Sequence, residues 1–147
     1  MRMEKGDRRR FRAMLWLFLS FTISVCAQNA YEKRVFVSLE GDSLPYRFLR
    51  PDSEKSGEKY PLVLFLHGGG ERGEDNEKQL THGAQMFLNP VNREKYPAFV
   101  LFPQCPSEGY WAYATRPSSF TPAGMPVGQS ESPLFRSLKQ LLDSCMK

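Results

Sequence analysis

The sequence predicts an α/β fold: a short β lead-in, then a parallel β-α-β unit, then a C-terminal helix. Three observations predict it. Residues 62–66 and 98–102 are wholly apolar runs, the pattern of short strands buried on both faces of a parallel sheet. Between them, residues 77–88 place Leu80, Ala84, Phe87 and Leu88 near one helical face, and Asn89-Pro90 ends that helix. Near the end of the chain, Leu134, Phe135, Leu138, Leu141 and Leu142 recur at helical spacing behind Ser132 as N-cap and Pro133 in the first turn. Two such strands joined through a helix should run parallel with a right-handed crossover. At 147 residues the chain holds one domain at most, and it has no internal repeats.

Taken in order, residues 1–27 read as an export signal. A basic run ends at Arg12, residues 14–25 are almost wholly apolar, and Val25-Cys26-Ala27 suits cleavage before Gln28. The apolar core is too short to span a bilayer, which needs about 20 residues. A lipid anchor on Cys26 and a retained anchor are the alternatives, though Val25 is bulky for the former. Cleavage leaves residues 28–147 as the mature, secreted or periplasmic domain, with no membrane attachment. The same segment explains the charge. It holds six Lys/Arg against Glu4 and Asp7, which accounts for the whole formal charge of +4. The remainder is balanced, which argues against nucleic acid or a membrane surface as partner.

Residues 34–39 and 44–50 read as two strands joined by the Gly41-Asp42 turn, with Tyr46 and Phe48 on one face of the second and Arg47 on the other. Residues 51–59 are a polar, solvated loop. The strand at 62–66 stops abruptly at His67, Gly68, Gly69 and Gly70, followed by the charged, glycine-broken stretch Glu71, Arg72, Gly73, Glu74, Asp75 and Asn76. Consecutive glycines turn the chain sharply and leave backbone N–H groups uncovered. A buried strand ending in bare amides is suited to holding negative charge. After strand 98–102, residues 107–131 have no periodicity. They are long for a plain connection, so they form either a functional loop or a disordered one, and Tyr110, Trp111, Tyr113 and Phe120 favour packing or a substrate wall. Of three cysteines, Cys105 and Cys145 remain after cleavage; they could pair, but free, packed thiols are the favoured state.

No cofactor or metal is expected. A phosphate loop would need a lysine after the glycines, and the two histidines and two cysteines lack metal-ligand spacing.

The segment from His67 to Gly73 resembles the oxyanion loop of α/β-hydrolases, which runs from the third strand toward the first main helix. The longer string continues through Gln79, Leu80, His82 and Gly83, and Pro103-Gln104-Cys105-Pro106 and Trp111 follow the next strand. It is similar to secreted bacterial esterases of the phospholipase/carboxylesterase and prolyl-oligopeptidase-like groups. The resemblance implies that Gly69 and Gly70 donate their N–H groups to the oxyanion formed when an ester or peptide carbonyl is attacked, and that His67 braces the loop. Glu71 and Arg72 either fix the loop or touch substrate; Trp111 and Tyr113 either line the cleft or pack. The departure is that the family's nucleophile lies in a G-x-S-x-G turn, which this sequence lacks. The nearest string, Gly128-Gln129-Ser130-Glu131-Ser132, has no final glycine and no preceding strand. His67 and His82 both lie beside the glycine loop, where neither suits the catalytic base. The expectation is therefore the N-terminal half of an α/β-hydrolase sheet without its nucleophile half, inactive alone, its central strand left as an edge. A non-catalytic binding module and a structural periplasmic module are the alternatives.

Overall fold

The computed structural model describes residues 30–112, 119, 121 and 131–146. The export segment, Tyr113 and the Gly128–Ser130 string therefore lie outside the described residues. Four strands form one mixed sheet in the order β1-β2-β4-β3: β1 Glu32–Val37, β2 Ser43–Leu49, β3 Leu62–Leu64 and β4 Phe99–Pro103. β1 and β2 form an antiparallel hairpin in which Arg34 faces Tyr46. Its turn is closed by the Ser38 carbonyl and hydroxyl, which accept from Gly41 and Asp42 at 3.0 Å. β2 runs antiparallel to β4, and β3 runs parallel to β4 with Val63 opposite Val100. The predicted parallel pair is thus present.

Side-chain alternation divides the core in two. Leu44, Tyr46, Phe48 and Leu101 point to one face and meet Leu138 and Leu141 of α3 Pro133–Cys145. Leu49, Val100 and Phe102 point to the other, against Tyr31 and Ala84. Tyr31 closes this side through an edge contact to Phe102 and a hydrogen bond from its hydroxyl to the Ala84 carbonyl at 2.9 Å. α3 begins as the sequence predicts, with the Ser132 hydroxyl accepting from Phe135 N at 3.1 Å. Burying Leu138 and Leu141 completely is worth about 2 kcal/mol each. Phe135, expected on the docked face, is instead exposed, because the buried stripe runs through Ser137, Leu138 and Leu141, with Leu134 partly buried beside it.

Three expectations are corrected. The strand expected over 62–66, buried on both faces, is only three residues long and half-buried, because β4 covers it on one side and no described strand covers the other. Phe65 N still donates to the Leu101 carbonyl at 2.9 Å before the chain leaves the sheet. The single helix expected over 77–88 is a 3₁₀ turn at Lys78–Leu80, a break at Gly83, then α1 Ala84–Leu88. Gly83 takes φ +80°, a conformation that interrupts a helix. Asn89-Pro90 ends α1 as read, but it also opens α2 Pro90–Lys95: the Asn89 carboxamide accepts from Val91 N at 2.9 Å, with proline at the first position. Finally, both cysteines are free, but only Cys105 is packed; Cys145 is exposed. No helix among the described residues is long and apolar enough to cross a membrane.

Candidate active-site loop

The glycine segment leaves the end of β3 and turns through a short 3₁₀ helix, Gly69–Glu71. His67 is buried beneath it. Its Nε2 accepts the backbone N–H of Cys105 at 2.9 Å. An accepting ring nitrogen carries no proton, so the neutral imidazole is protonated at Nδ1, which donates to the Gly68 carbonyl at 2.6 Å. Both ring nitrogens are engaged, Nδ1 within the loop and Nε2 with the chain just past β4, which leaves neither to act as a base.

Two further side chains hold the neighbouring carbonyls. The Trp111 indole N–H donates to the His67 carbonyl at 3.1 Å, and its ring meets the imidazole edge-on at 5.1 Å. Arg72 Nε donates to the Gly69 carbonyl at 3.0 Å and its Nη1 to the Gly109 carbonyl at 3.2 Å, with the guanidinium 4.9 Å from the Tyr110 ring centre. Three successive carbonyls, those of His67, Gly68 and Gly69, thus each accept a side-chain N–H. A trans peptide is planar, so its N–H points opposite its C=O. The N–H groups of Gly68, Gly69 and Gly70 are therefore aimed away from those side chains. Among the described residues none of the three donates to another part of the chain, and all three glycines are exposed.

The charged stretch that follows is anchored in the protein. Gly73 N donates to the Cys105 carbonyl at 3.0 Å. The buried Gln104 carboxamide receives Asn76 N at 2.6 Å and donates to Asp75 Oδ1 at 2.8 Å and to the Glu71 carbonyl at 3.3 Å. Asn76 takes the left-handed φ of +54°, a region that asparagine tolerates, and its side chain donates to the Arg34 and Tyr46 carbonyls. The buried Arg47 donates to the Asn76 carbonyl at 2.6 Å and the Tyr31 carbonyl at 3.0 Å. This fixes the far end of the glycine loop to β1, β2 and β4. Burial alone would raise the Asp75 carboxyl. The N–H of Lys78, the Gln104 amide and the N–H of Glu77 outweigh it and hold Asp75 down at about 2.

A hollow of about 320 Å³ adjoins the loop, lined by His67, Gly68, Gly69, Arg72, Cys105, Gly109, Tyr110 and Trp111. Of the residues singled out from sequence, His67, Gly69, Arg72 and Trp111 come together here. Gly70 does not line the hollow. Neither does Glu71, whose carboxylate instead lies 3.3 Å from Nε2 of the exposed His82. Tyr113 lies outside the described residues. Tyr110, which the sequence offers with Trp111 as packing or a substrate wall, lines the hollow too; Cys105 and Gly109 are additions, and the Gln104-Cys105-Pro106 run after the second apolar strand is the signal for the first. Burial pushes the Cys105 thiol up to about 11, against a smaller opposing effect of Arg72. Among the described residues, no three His, Cys, Asp or Glu side chains converge as metal ligands. A larger hollow of about 540 Å³ lies between α1, α2 and the sheet, lined mainly by apolar side chains such as Val63, Phe87 and Val100. It contains none of the glycine-loop groups, so it is not the candidate site.

No family profile matches the chain, and no curated protein matches its sequence. Solved structures do. The structure described as a thermostable esterase superposes with a TM-score of 0.68 at 29% identity, over 81% of this chain and 31% of that one. The BES protein from Bacillus cereus superposes more loosely, with a TM-score of 0.45 at 20% identity, over 80% of this chain and 47% of that one. The chain thus spans about a third of the esterase's length. The mixed sheet, its helices and the likeness to that structure make this chain part of an α/β-hydrolase-like fold.

Proposed function

We propose that residues 67–73 are the oxyanion-binding half of a serine-hydrolase active site acting on the carbonyl of a small ester or peptide. The observation that carries this is the pair of exposed N–H groups on Gly69 and Gly70, adjacent in the chain and free of partners elsewhere among the described residues. Attack on a carbonyl places charge on its oxygen, and donors set beforehand stabilise that charge without reorganising. One such donor is worth about 3 kcal/mol, or on the order of 100-fold in rate. His67 presets the first donor, since its bond to the Gly68 carbonyl orients the Gly69 N–H. Trp111 forms a wall of the adjoining hollow, where an acyl or leaving group would rest. The nucleophilic serine and the proton-shuttling histidine come from outside these residues. Residues 1–27 would deliver the domain to the periplasm or the medium.

A second reading, a binding module without turnover, is favoured by two facts: the sequence has no G-x-S-x-G, and its buried histidine has both nitrogens engaged. One experiment separates the two. The chain alone should neither hydrolyse an activated ester nor react with a fluorophosphonate. Fused to the part of the thermostable esterase outside the matched 31%, it should turn the ester over. Gly69→Pro should then cut kcat about 100-fold. Proline suits this position because Gly68 is extended, at ψ −176°, and Gly69 opens the 3₁₀ turn, so the main loss is the N–H. An active fusion indifferent to Gly69→Pro overturns the donor assignment. Serine-directed labelling of the chain alone would show that the nucleophile is already present.

A further inference from the structure

We propose that Arg72 is the positioning residue for the second donor, Gly70, and that it couples that donor to the loop carrying Tyr110. The inference rests on the reading of Gly69 and Gly70 as the oxyanion donors and goes beyond it by assigning what aims each one. His67 holds the Gly68 carbonyl and so sets the Gly69 N–H. The Gly69 carbonyl, whose peptide carries the Gly70 N–H, has a different clamp: Arg72 Nε at 3.0 Å.

The clamp has two ends. Nη1 of the same guanidinium reaches the Gly109 carbonyl at 3.2 Å, 37 residues further along the chain, and the cation lies 4.9 Å from the Tyr110 ring centre. Gly109 and Tyr110 line the hollow beside the glycines. A planar fork with several donors in fixed directions can hold two carbonyls at once while lying against an aromatic ring. A lysine ammonium has the charge but not this geometry. Gly69 and Gly70 offer no side chain to resist rotation of their shared peptide; a Cβ on Gly70 would meet nothing within 4 Å. That peptide lies in the 3₁₀ turn, and Arg72 is the side chain that holds its carbonyl there; Arg72 in turn is held by the Gly109–Tyr110 segment. Movement of this wall, for instance on filling the hollow, would be passed to the Gly70 N–H.

The test follows the Gly69 and Gly70 amide signals of ¹⁵N-labelled chain during titration with butylphosphonate, a tetrahedral oxyanion. In the unsubstituted chain both amide protons should shift downfield and saturate. In Arg72→Lys and Arg72→Met the Gly70 response should weaken at least tenfold while the Gly69 response, set by His67, persists. Tyr110→Leu keeps Arg72 but removes the ring beneath it, and should weaken the Gly70 response roughly two- to fivefold. The amides of Leu101 and Phe102 in β4 report whether each variant is folded; should Arg72→Met fail that check, Arg72→Lys and Tyr110→Leu carry the comparison. If neither glycine responds in the unsubstituted chain, the oxyanion reading itself fails. If both respond and Arg72→Lys behaves like the unsubstituted chain, the oxyanion reading stands and the clamp is refuted, because charge alone suffices. Equal loss of both responses in a folded Arg72 variant also refutes it.

Discussion

Gly83→Ala tests the account of how the loop's neighbourhood is packed. Gly83 has φ +80°, and a Cβ built there would lie 2.6 Å from both Cε2 and Cζ of Phe65. The positive φ costs an L-residue about 1–2 kcal/mol. Phe65 cannot simply withdraw, because its ring stacks on Phe102 at 4.6 Å and meets Phe87 edge-on at 6.3 Å. Overpacking of this kind adds about 1–3 kcal/mol. The total is about 2–5 kcal/mol. With a urea dependence of about 1–2 kcal/mol per molar, the unfolding midpoint should fall by roughly 1–5 M. Gly41→Ala is the control: its φ is +92°, but nothing lies within 4 Å of the added methyl, so it should cost only the backbone share. Phe65→Leu introduced into Gly83→Ala should recover part of the loss, a coupling measurable by a double-mutant cycle. Equal midpoints for Gly83→Ala and Gly41→Ala would refute the steric argument and with it the claim that Phe65 is boxed in.

Two further predictions concern titratable groups around the loop. At pH 8 an alkylating reagent should modify the exposed Cys145 quickly and spare Cys105, whose thiol is buried and raised to about 11, until urea unfolds the chain; peptide mass mapping reads both sites. Asp75 is held at about 2, below the ordinary value of 3.8. A depressed carboxyl stabilises the fold above its unfolded pKa and loses that contribution as pH falls from about 4 toward 2. Asp75→Asn should therefore flatten the fall in urea midpoint across that window and lower the midpoint at neutral pH; an unchanged acid profile would show that the Gln104 and backbone bonds to Asp75 contribute nothing. The side chain is partly exposed, so the effect should be modest.

The strands, their parallel pairing, the glycine loop at a strand end and the capped α3 were all legible in the sequence, because each has a local signature. Apolar runs mark strands, Ser132-Pro133 marks a helix start, and a glycine run marks a turn with bare amides. Asn89-Pro90 is equally local: the pair ends one helix and serves as cap and first residue of the next. Gly83 broke a helix that apolar spacing alone would continue.

What only the tertiary structure decided were the partners. Cys105 N–H reaches His67 across 38 residues, Trp111 reaches the His67 carbonyl across 44, and Arg72 reaches Gly109 across 37. Asn76 and Gln104, which lie in the strings that carry the resemblance, and Arg47, which no motif marks, prove to be the buried fastening of the loop. Periodicity and capping follow from contacts within a few residues, where the backbone geometry is known in advance. Which carbonyl receives a distant N–H depends on where the sheet order β1-β2-β4-β3 carries each chain end, and that order is settled by packing two apolar faces at once. The sequence by itself therefore placed bare amides at the end of a strand, and the packing of the sheet determined how they are aimed.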